Sequence, residues 1–297
     1  MAMNVLSPPR SRLPQFRDRL ILGNLGLRAS PYCLGIVRLP ETVSAAFDAG
    51  INFFFVTADM HWPLYEQTRR GLADLLARGR AIRDQMVVAA VCYPTQAEFC
   101  SMPFQELLEA VPGLERIDVL IAGGAYEGEF AGRLPVYLNH RSHRFLGARA
   151  IGATFHERTA ALAAIREECL DIALIRYNPD HAGAREDVFP YLPRQRSTLL
   201  FNFKSAFRFV PPRLLEQMGL NEDDYWYPEI TDYYRFALSR PELDGILMAP
   251  QTPLELEALA AALKRGPLTE EEEAYLMDIA LVARGEAKVL SEKEEFA

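Results

Sequence analysis

The feature of this sequence that most constrains its fold is the alternation between short apolar runs and amphipathic helical segments. Each run is rich in β-branched or aromatic residues and too uniformly apolar to alternate, which is typical of a strand buried on both faces. Such runs occupy residues 33–37, 50–56, 86–93, 117–124, 148–155, 171–179, 198–204 and 243–249. Strand then helix, repeated with short links, predicts a parallel (β/α)8 TIM barrel with right-handed crossovers.

Segments at both ends of the chain flank the predicted barrel. Residues 20–31 alternate and turn with Gly and Asn at the corner, which predicts a β-hairpin. Residues 1–18 are expected to form a flexible head. Residues 265–297 are expected to form a helical tail in which Thr269 caps a helix that begins with four glutamates. The whole chain, 1–297, is therefore interpreted as a single barrel domain.

Composition argues against several classes of function. The formal net charge of −8 and the pI near 5.3 do not suit a nucleic-acid partner, which would need a clustered basic surface. No apolar run approaches the roughly 18 residues of a membrane span, and the N-terminus lacks the apolar core of a signal peptide. Cys33, Cys92, Cys100 and Cys169 follow no metal-ligand spacing. We therefore expect no metal, no membrane and a reducing cytoplasmic location.

The second predicted strand and the loop after it carry the most informative motif. Residues 50–61 read Gly-Ile-Asn-Phe-Phe-Phe-Val-Thr-Ala-Asp-Met-His. This segment resembles the second strand of the aldo-keto reductases, which usually reads Gly-Ile-Asn-Phe-Phe-Asp-Thr-Ala-Asp-x-Tyr. Residues 149–154, 177–178 and 234–244 are similar to further family segments. The resemblance covers most of the chain and implies a barrel whose floor is closed by the N-terminal hairpin.

The same resemblance implies that the family's catalytic residues are replaced. In those enzymes NADPH delivers hydride to a carbonyl while a Tyr protonates the oxygen, an Asp–Lys pair lowers the pKa of that Tyr, and a His orients the carbonyl. By position, the Asp falls on Val56, the Tyr on His61, the Lys on Cys92, within one residue of register, and the His on Gly123. The resemblance thus implies a retained pocket with a degenerate tetrad.

Residues that would hold the family's cofactor are also reduced. The family holds the nicotinamide amide through a Ser-Asn pair and a Gln, and here Thr154, Phe155 and Leu174 stand in those places. Residues 249–253 offer no Arg or Lys to pair with the adenosine phosphate, although the helix start at Pro253 could hold an anion weakly. We expect no cofactor and keep NADP(H) as an alternative.

Three residues at the predicted barrel mouth are candidates for chemistry. His61 lies where the fold aims a side chain into the pocket, and imidazole can act as acid or base near neutral pH. Lys204 follows three apolar or amide residues, so partial desolvation would make it a nucleophilic amine, unless it is an ordinary anion contact. Cys92 is either a thiol nucleophile or a packed core residue. Asp59 is expected to cap its loop.

Three functions remain open from the sequence. The preferred one is a repurposed barrel that performs atypical or non-redox chemistry on a small molecule in its mouth, with His61 as acid or base and Lys204 beside it. The second is a silent barrel that binds or scaffolds a protein partner, and the third is an NADPH-dependent reductase with His61 as proton donor. An open pocket around His61 favours catalysis, whereas a pocket plugged by Trp62, Phe155 and Phe203 favours the scaffold.

Overall fold

The computed structural model describes residues 6–57, 59–142 and 148–285. Within them, eight parallel strands close into a barrel, which confirms the predicted TIM fold. In order around the barrel, the strands are β3 (Tyr32–Leu34), β4 (Phe53–Val56), β5 (Val87–Cys92), β6 (Val119–Ala125), β7 (Ala150–Phe155), β8 (Ile172–Arg176), β9 (Leu199–Phe203) and β10 (Gly245–Met248), and β10 pairs with β3.

Helices surround the barrel. They are α1 (Glu41–Ala49), α2 (Glu66–Leu76), α3 (Arg80–Gln85), α4 (Met102–Ala110), α5 (Glu127–Ser142), α6 (Arg158–Arg166), α7 (Ala184–Asp187), α8 (Pro212–Gln217), α9 (Ile230–Leu238), α10 (Pro253–Leu263) and α11 (Glu270–Ala283). None of the helices in the described part of the chain is both long and apolar enough to cross a bilayer.

The barrel is filled by the side chains that made its strands recognisable. All four residues of β4 are buried, and the rings of Phe53 and Phe201 meet edge to face inside the barrel with centroids 5.8 Å apart. Phe53 of β4 pairs with Val87 of β5, and Ala89 of β5 pairs with Val119 of β6. A strand that is buried on both faces has no side chain in contact with water, so it can be apolar throughout, which explains the continuous runs in the sequence.

The predicted hairpin is present and covers the N-terminal end of the barrel. β1 (Leu20–Leu22) and β2 (Leu27–Ala29) pair antiparallel, and the turn between them uses Gly23 and Gly26 at positive φ. The Asn52 side chain, just before β4, donates to Arg28 O at 2.8 Å and so ties the hairpin to the barrel.

Both flanking segments pack on the barrel where the structure describes them. Residues 6–18 were expected to belong to a flexible head, but Leu13 and Phe16 are instead buried, and the Phe16 ring lies 4.9 Å from that of Tyr32. In the tail, Thr269 caps α11 through a capping box with Glu272, as its sequence predicts. Residues 1–5 and 286–297, the outer parts of the predicted head and tail, lie outside the described residues.

Candidate active site

A cavity of about 650 Å³ opens at the C-terminal ends of the barrel strands. This is the end where catalytic residues of parallel barrels collect. Its polar lining includes His61, Tyr65, Tyr93, His156, Lys204 and Glu255. The rest of the wall is mostly apolar, with Ile36, Phe55, Phe207, Ile230, Leu247 and Leu259 among its members. Such a cavity suits a small, mostly apolar ligand.

The loop after β4 is held in shape by Asp59. Its carboxylate is buried and accepts two backbone hydrogen bonds, from His61 N at 3.2 Å and from Tyr93 N at 2.7 Å. The second bond joins this loop to the end of β5, 34 residues further along the chain. The expected loop-capping role of Asp59 is therefore confirmed, and it also places two cavity residues side by side.

His61 presents its imidazole to the cavity beside that carboxylate. Its Nδ1 lies 3.7 Å from Asp59 Oδ1 and makes no hydrogen bond, while the side chain keeps 38% of its surface exposed. An imidazole in the wall of a cavity can act as a base or an acid, and here a buried carboxylate lies near one of its two ring nitrogens. The ring also lies 4.2 Å from that of Tyr93.

Tyr93 is the functional candidate that the sequence did not single out. The cavity-facing residue at the end of β5 is Tyr93 rather than Cys92. Burial, reinforced by the negative charge of Asp59, raises the pKa of Tyr93 to about 12, so its hydroxyl stays protonated. The available signal was an aromatic residue placed directly after a buried strand, within the one-residue uncertainty of the register at Cys92.

Cys92 belongs to the core. It is fully buried, and burial raises the pKa of its thiol to about 12, which opposes formation of a nucleophilic thiolate. Its carbonyl accepts a hydrogen bond from the buried guanidinium of Arg133 at 2.6 Å. The thiol-nucleophile alternative is therefore wrong, and Cys92 is the packed core residue.

Lys204 lies at the cavity rim with an exposed side chain, so the expected desolvation is absent. Its backbone has φ of 60°, in the left-handed region, and its Nζ lies 5.4 Å from the centre of the Phe207 ring. Across the rim, partial burial together with the positive charges of Lys204 and Arg176 lowers the pKa of His156. Lys204 can thus attract an anionic or polar group of a ligand.

The cavity is not plugged by the aromatic residues that could have closed it. Trp62 lies outside the lining and stacks under the guanidinium of Arg69, at 3.2 Å from the ring centre. Phe155 is buried against Phe130, with ring centroids 5.6 Å apart. Phe203 alone of the three contributes to the wall.

In the described part of the chain, no group of three His, Cys, Asp or Glu side chains could hold a metal ion.

Comparisons with known proteins place this architecture. No family model and no curated protein matches the sequence. Among solved structures, the aldo-keto reductase AKR11C1 from Bacillus halodurans, in its holo form, has a TM-score of 0.67 and 12% identity over 93% of this chain and 99% of its own. The thermostable aldo-keto reductase Tm1743, in complex with the inhibitor epalrestat, has a TM-score of 0.64 and 16% identity over 88% and 99%. An aldo-keto reductase from Brucella melitensis has a TM-score of 0.57 and 12% identity over 88% and 98%.

The chain has the aldo-keto reductase fold. At these identities the likeness establishes the architecture, and the chemistry has to be argued from the side chains. The sequence resemblance assigns the tetrad positions to three neighbouring strands, β4, β5 and β6. Val56, Cys92 and Gly123 lie within these strands, and His61 follows the end of β4.

The residues of this aldo-keto reductase fold do not suit an NADP(H) phosphate at the start of α10. Glu255 places its own carboxylate there and accepts a hydrogen bond from Gln251 N at 2.8 Å. Thr252 Oγ1 accepts from Glu255 N at 3.2 Å, and Pro250 and Pro253 have no N–H to offer. The start of α10, where a weak anion site is expected at Pro253, therefore carries a carboxylate of the protein nearby and two amides that are already used.

The nicotinamide end fits no better. Thr154, which stands in the place of the family's Ser, accepts a hydrogen bond from Gly124 N at 2.8 Å. Leu174, in the place of the Gln, is buried and apolar. Neither residue offers a side-chain amide to hold a carboxamide.

Proposed function

We propose that the chain is a divergent member of the aldo-keto reductase superfamily that acts on a small, mostly apolar molecule by proton transfer, without NADP(H). His61 serves as the acid or base, and Lys204 attracts a polar group of the ligand at the rim. The observation that carries this proposal is the His61 imidazole, which is backed by the buried Asp59 carboxylate at 3.7 Å and faces a cavity of about 650 Å³.

The open cavity favours an enzyme over a scaffold. A barrel that serves only as a binding platform has no need of a ligand-sized space at its catalytic end, and here Trp62 and Phe155 leave that space free. The aromatic stretch 221–234 that could meet a partner packs in part on the chain itself, since the Trp226 ring stacks on Tyr275 at 5.8 Å. Binding or scaffolding a protein partner is therefore the second candidate function.

Glu255 supports the view that conventional carbonyl reduction has been abandoned. Its carboxylate would repel a phosphate group at the start of α10, and the nearest amide that could bind one is already used.

The four cysteines are unpaired, which supports a reducing cytoplasmic location.

NADPH titration tests this proposal directly. A ligand that binds the folded protein raises its melting temperature by mass action. Because we expect no binding, NADPH up to millimolar concentration should give neither a saturable change in protein fluorescence nor a rise in melting temperature. A saturable, stabilising interaction in the micromolar range would return the protein to the reductases with His61 as donor.

A second measurement separates the enzyme from the scaffold. For any molecule that the protein turns over, His61→Ala should abolish turnover, and Asp59→Asn should reduce kcat more than it changes binding. His181→Ala, which removes an imidazole outside the cavity lining, is the matched control. Turnover that survives His61→Ala would exclude it as the acid or base, and protein capture without any turnover would favour the scaffold.

A further inference from the structure

Two tyrosine hydroxyl groups at the His61 end of the cavity have no hydrogen-bond partner. Tyr65, which is buried, and Tyr93, which is partly buried, both line the cavity, and neither hydroxyl bonds to another residue in the described part of the chain. Other buried tyrosines are satisfied: the Tyr177 hydroxyl accepts from Arg185 Nε at 2.7 Å, and that of Tyr233 accepts from Val210 N at 3.2 Å. Both hydroxyl groups are therefore free to donate a hydrogen bond to a ligand in the cavity.

The positions of both phenols are fixed by the surrounding fold. The backbone of Tyr93 is held by Asp59, and its ring packs over Gly123, where a β-carbon would come within 2.6 Å of Tyr93 Cδ1. Tyr65 is buried, and its ring lies 6.2 Å from that of Phe55. Donors that are already in place when charge develops need no reorganisation, which is the condition for strong stabilisation of an oxyanion.

Both phenols are donors rather than acids. Burial raises the pKa of Tyr65 and that of Tyr93, and the neighbouring Asp59 carboxylate acts in the same direction on each. A phenol that holds its proton this firmly can donate a hydrogen bond to an oxyanion without giving the proton up. The group in the cluster suited to carry a proton is then the imidazole of His61.

We propose that Tyr93 and Tyr65 donate hydrogen bonds to the carbonyl oxygen of an apolar ketone while His61 removes a proton from the adjacent carbon. The inference rests on the proposed function and gives it a reaction class: exchange of a proton beside a carbonyl through its enolate or, for a β,γ-unsaturated ketone, isomerisation to the conjugated enone.

The step balances within the site. The C–H bond breaks, its proton passes to the free imidazole nitrogen of His61, and its electron pair forms the new carbon–carbon double bond. The carbonyl π electrons move to oxygen, where the two phenols hold the enolate. Return of the proton to the same carbon, or to a conjugated one, completes the reaction. No oxidant, reductant or co-reactant is consumed.

Proton exchange on β-tetralone tests the reaction. This bicyclic ketone is mostly apolar, and exchange of its acidic C–H positions in deuterium oxide is followed by proton NMR. We expect the wild-type protein to accelerate exchange. Tyr93→Phe should slow the accelerated rate by about 10²-fold, the usual effect of losing one oxyanion donor. His61→Ala should abolish it, and Tyr191→Phe, which removes an exposed phenol that does not line the cavity, should leave it unchanged.

Binding of β-naphthol isolates the phenols from His61. Its naphtholate form resembles the enolate of β-tetralone, and a cyano-substituted β-naphthol has the same ring system with a more acidic hydroxyl. The wild-type protein should bind the more acidic compound about tenfold more tightly, because hydrogen bonds to an anion are stronger. Tyr93→Phe should remove this preference, and Tyr65→Phe should reduce it, with circular dichroism confirming that each variant is folded.

The two assays fail separately. His61→Ala should keep the preference for the acidic naphthol, so loss of exchange with a retained preference supports both proposals. If His61→Ala leaves exchange intact, the proposed role of His61 is wrong even where the phenols select the naphthol. If Tyr93→Phe keeps the preference, or if neither naphthol binds the wild-type protein, the oxyanion site is wrong whatever His61 does.

Discussion

Tyr93 occupies the space that a side chain on residue 123 would need. A β-carbon built on Gly123 would lie 2.6 Å from Tyr93 Cδ1 and 2.8 Å from Val91 Cγ2, closer than real β-carbons approach. The glycine in β6 and the tyrosine after β5 are therefore a complementary pair. The family resemblance assigns to position 123 the residue that orients a carbonyl. Here the ring of Tyr93, which follows the neighbouring strand β5, fills the space of a side chain at that position.

We expect Gly123→Ala to displace the Tyr93 ring. The added methyl group should lower the free energy of unfolding by about 1–3 kcal/mol, as overpacking of a core usually does, and should weaken naphthol binding. Gly132→Ala is the control, because its β-carbon meets nothing within 4 Å in the exposed face of α5, and alanine in a helix is stabilising. Urea unfolding measures both, and equal stability of Gly123→Ala and wild type would contradict the packing argument.

Glu273 should be essential for docking the C-terminal helix α11. Its buried carboxylate lies 2.8 Å from Arg185 Nη2 and 3.1 Å from Arg240 Nη2. Glu273→Gln leaves these cations without a counter-ion, so we expect a loss of about 3 kcal/mol in the free energy of unfolding. Glu271→Gln removes an exposed acid from the same helix and should hardly move the urea midpoint. Similar midpoints for the two variants would show that the buried pairs contribute little.

Cys92 should be protected from thiol reagents in the native protein. Its side chain is fully buried and its pKa is raised to about 12, so both access and thiolate are lacking. Cys169 is only partly buried and should be alkylated first. Timed iodoacetamide labelling with peptide mass spectrometry measures the order. Early modification of Cys92 in folded protein would contradict its assignment to the core.

His156 should make stability depend on pH below its ordinary pKa of 6.5, because its pKa is lowered in the folded protein by partial burial, Lys204 and Arg176. As pH falls through 6.5, the unfolded chain takes up a proton before the folded one does, so the folded state loses stability. His156→Gln should remove this contribution and lose less stability than wild type between pH 8 and pH 5. Parallel stability curves, measured by urea unfolding at each pH, would contradict the shift.

The sequence by itself determined the architecture. The apolar runs that predicted the strands are buried in the barrel, and Thr269 caps α11 where its spacing places it. These features are local in the chain: strand burial follows from uninterrupted apolar character, and a cap follows from one side chain and an amide three residues on.

Only the tertiary structure decided which side chains meet in the cavity. A shift of one residue along a strand reverses the face to which a side chain points, so Cys92 is buried while Tyr93 reaches the cavity. Likewise, nothing in the sequence near Lys204 reveals that its side chain is exposed. The site is made of contacts between distant segments, such as Asp59 with Tyr93 and Tyr93 with Gly123. Closure of the barrel brings these residues together, and sequence periodicity does not encode that proximity.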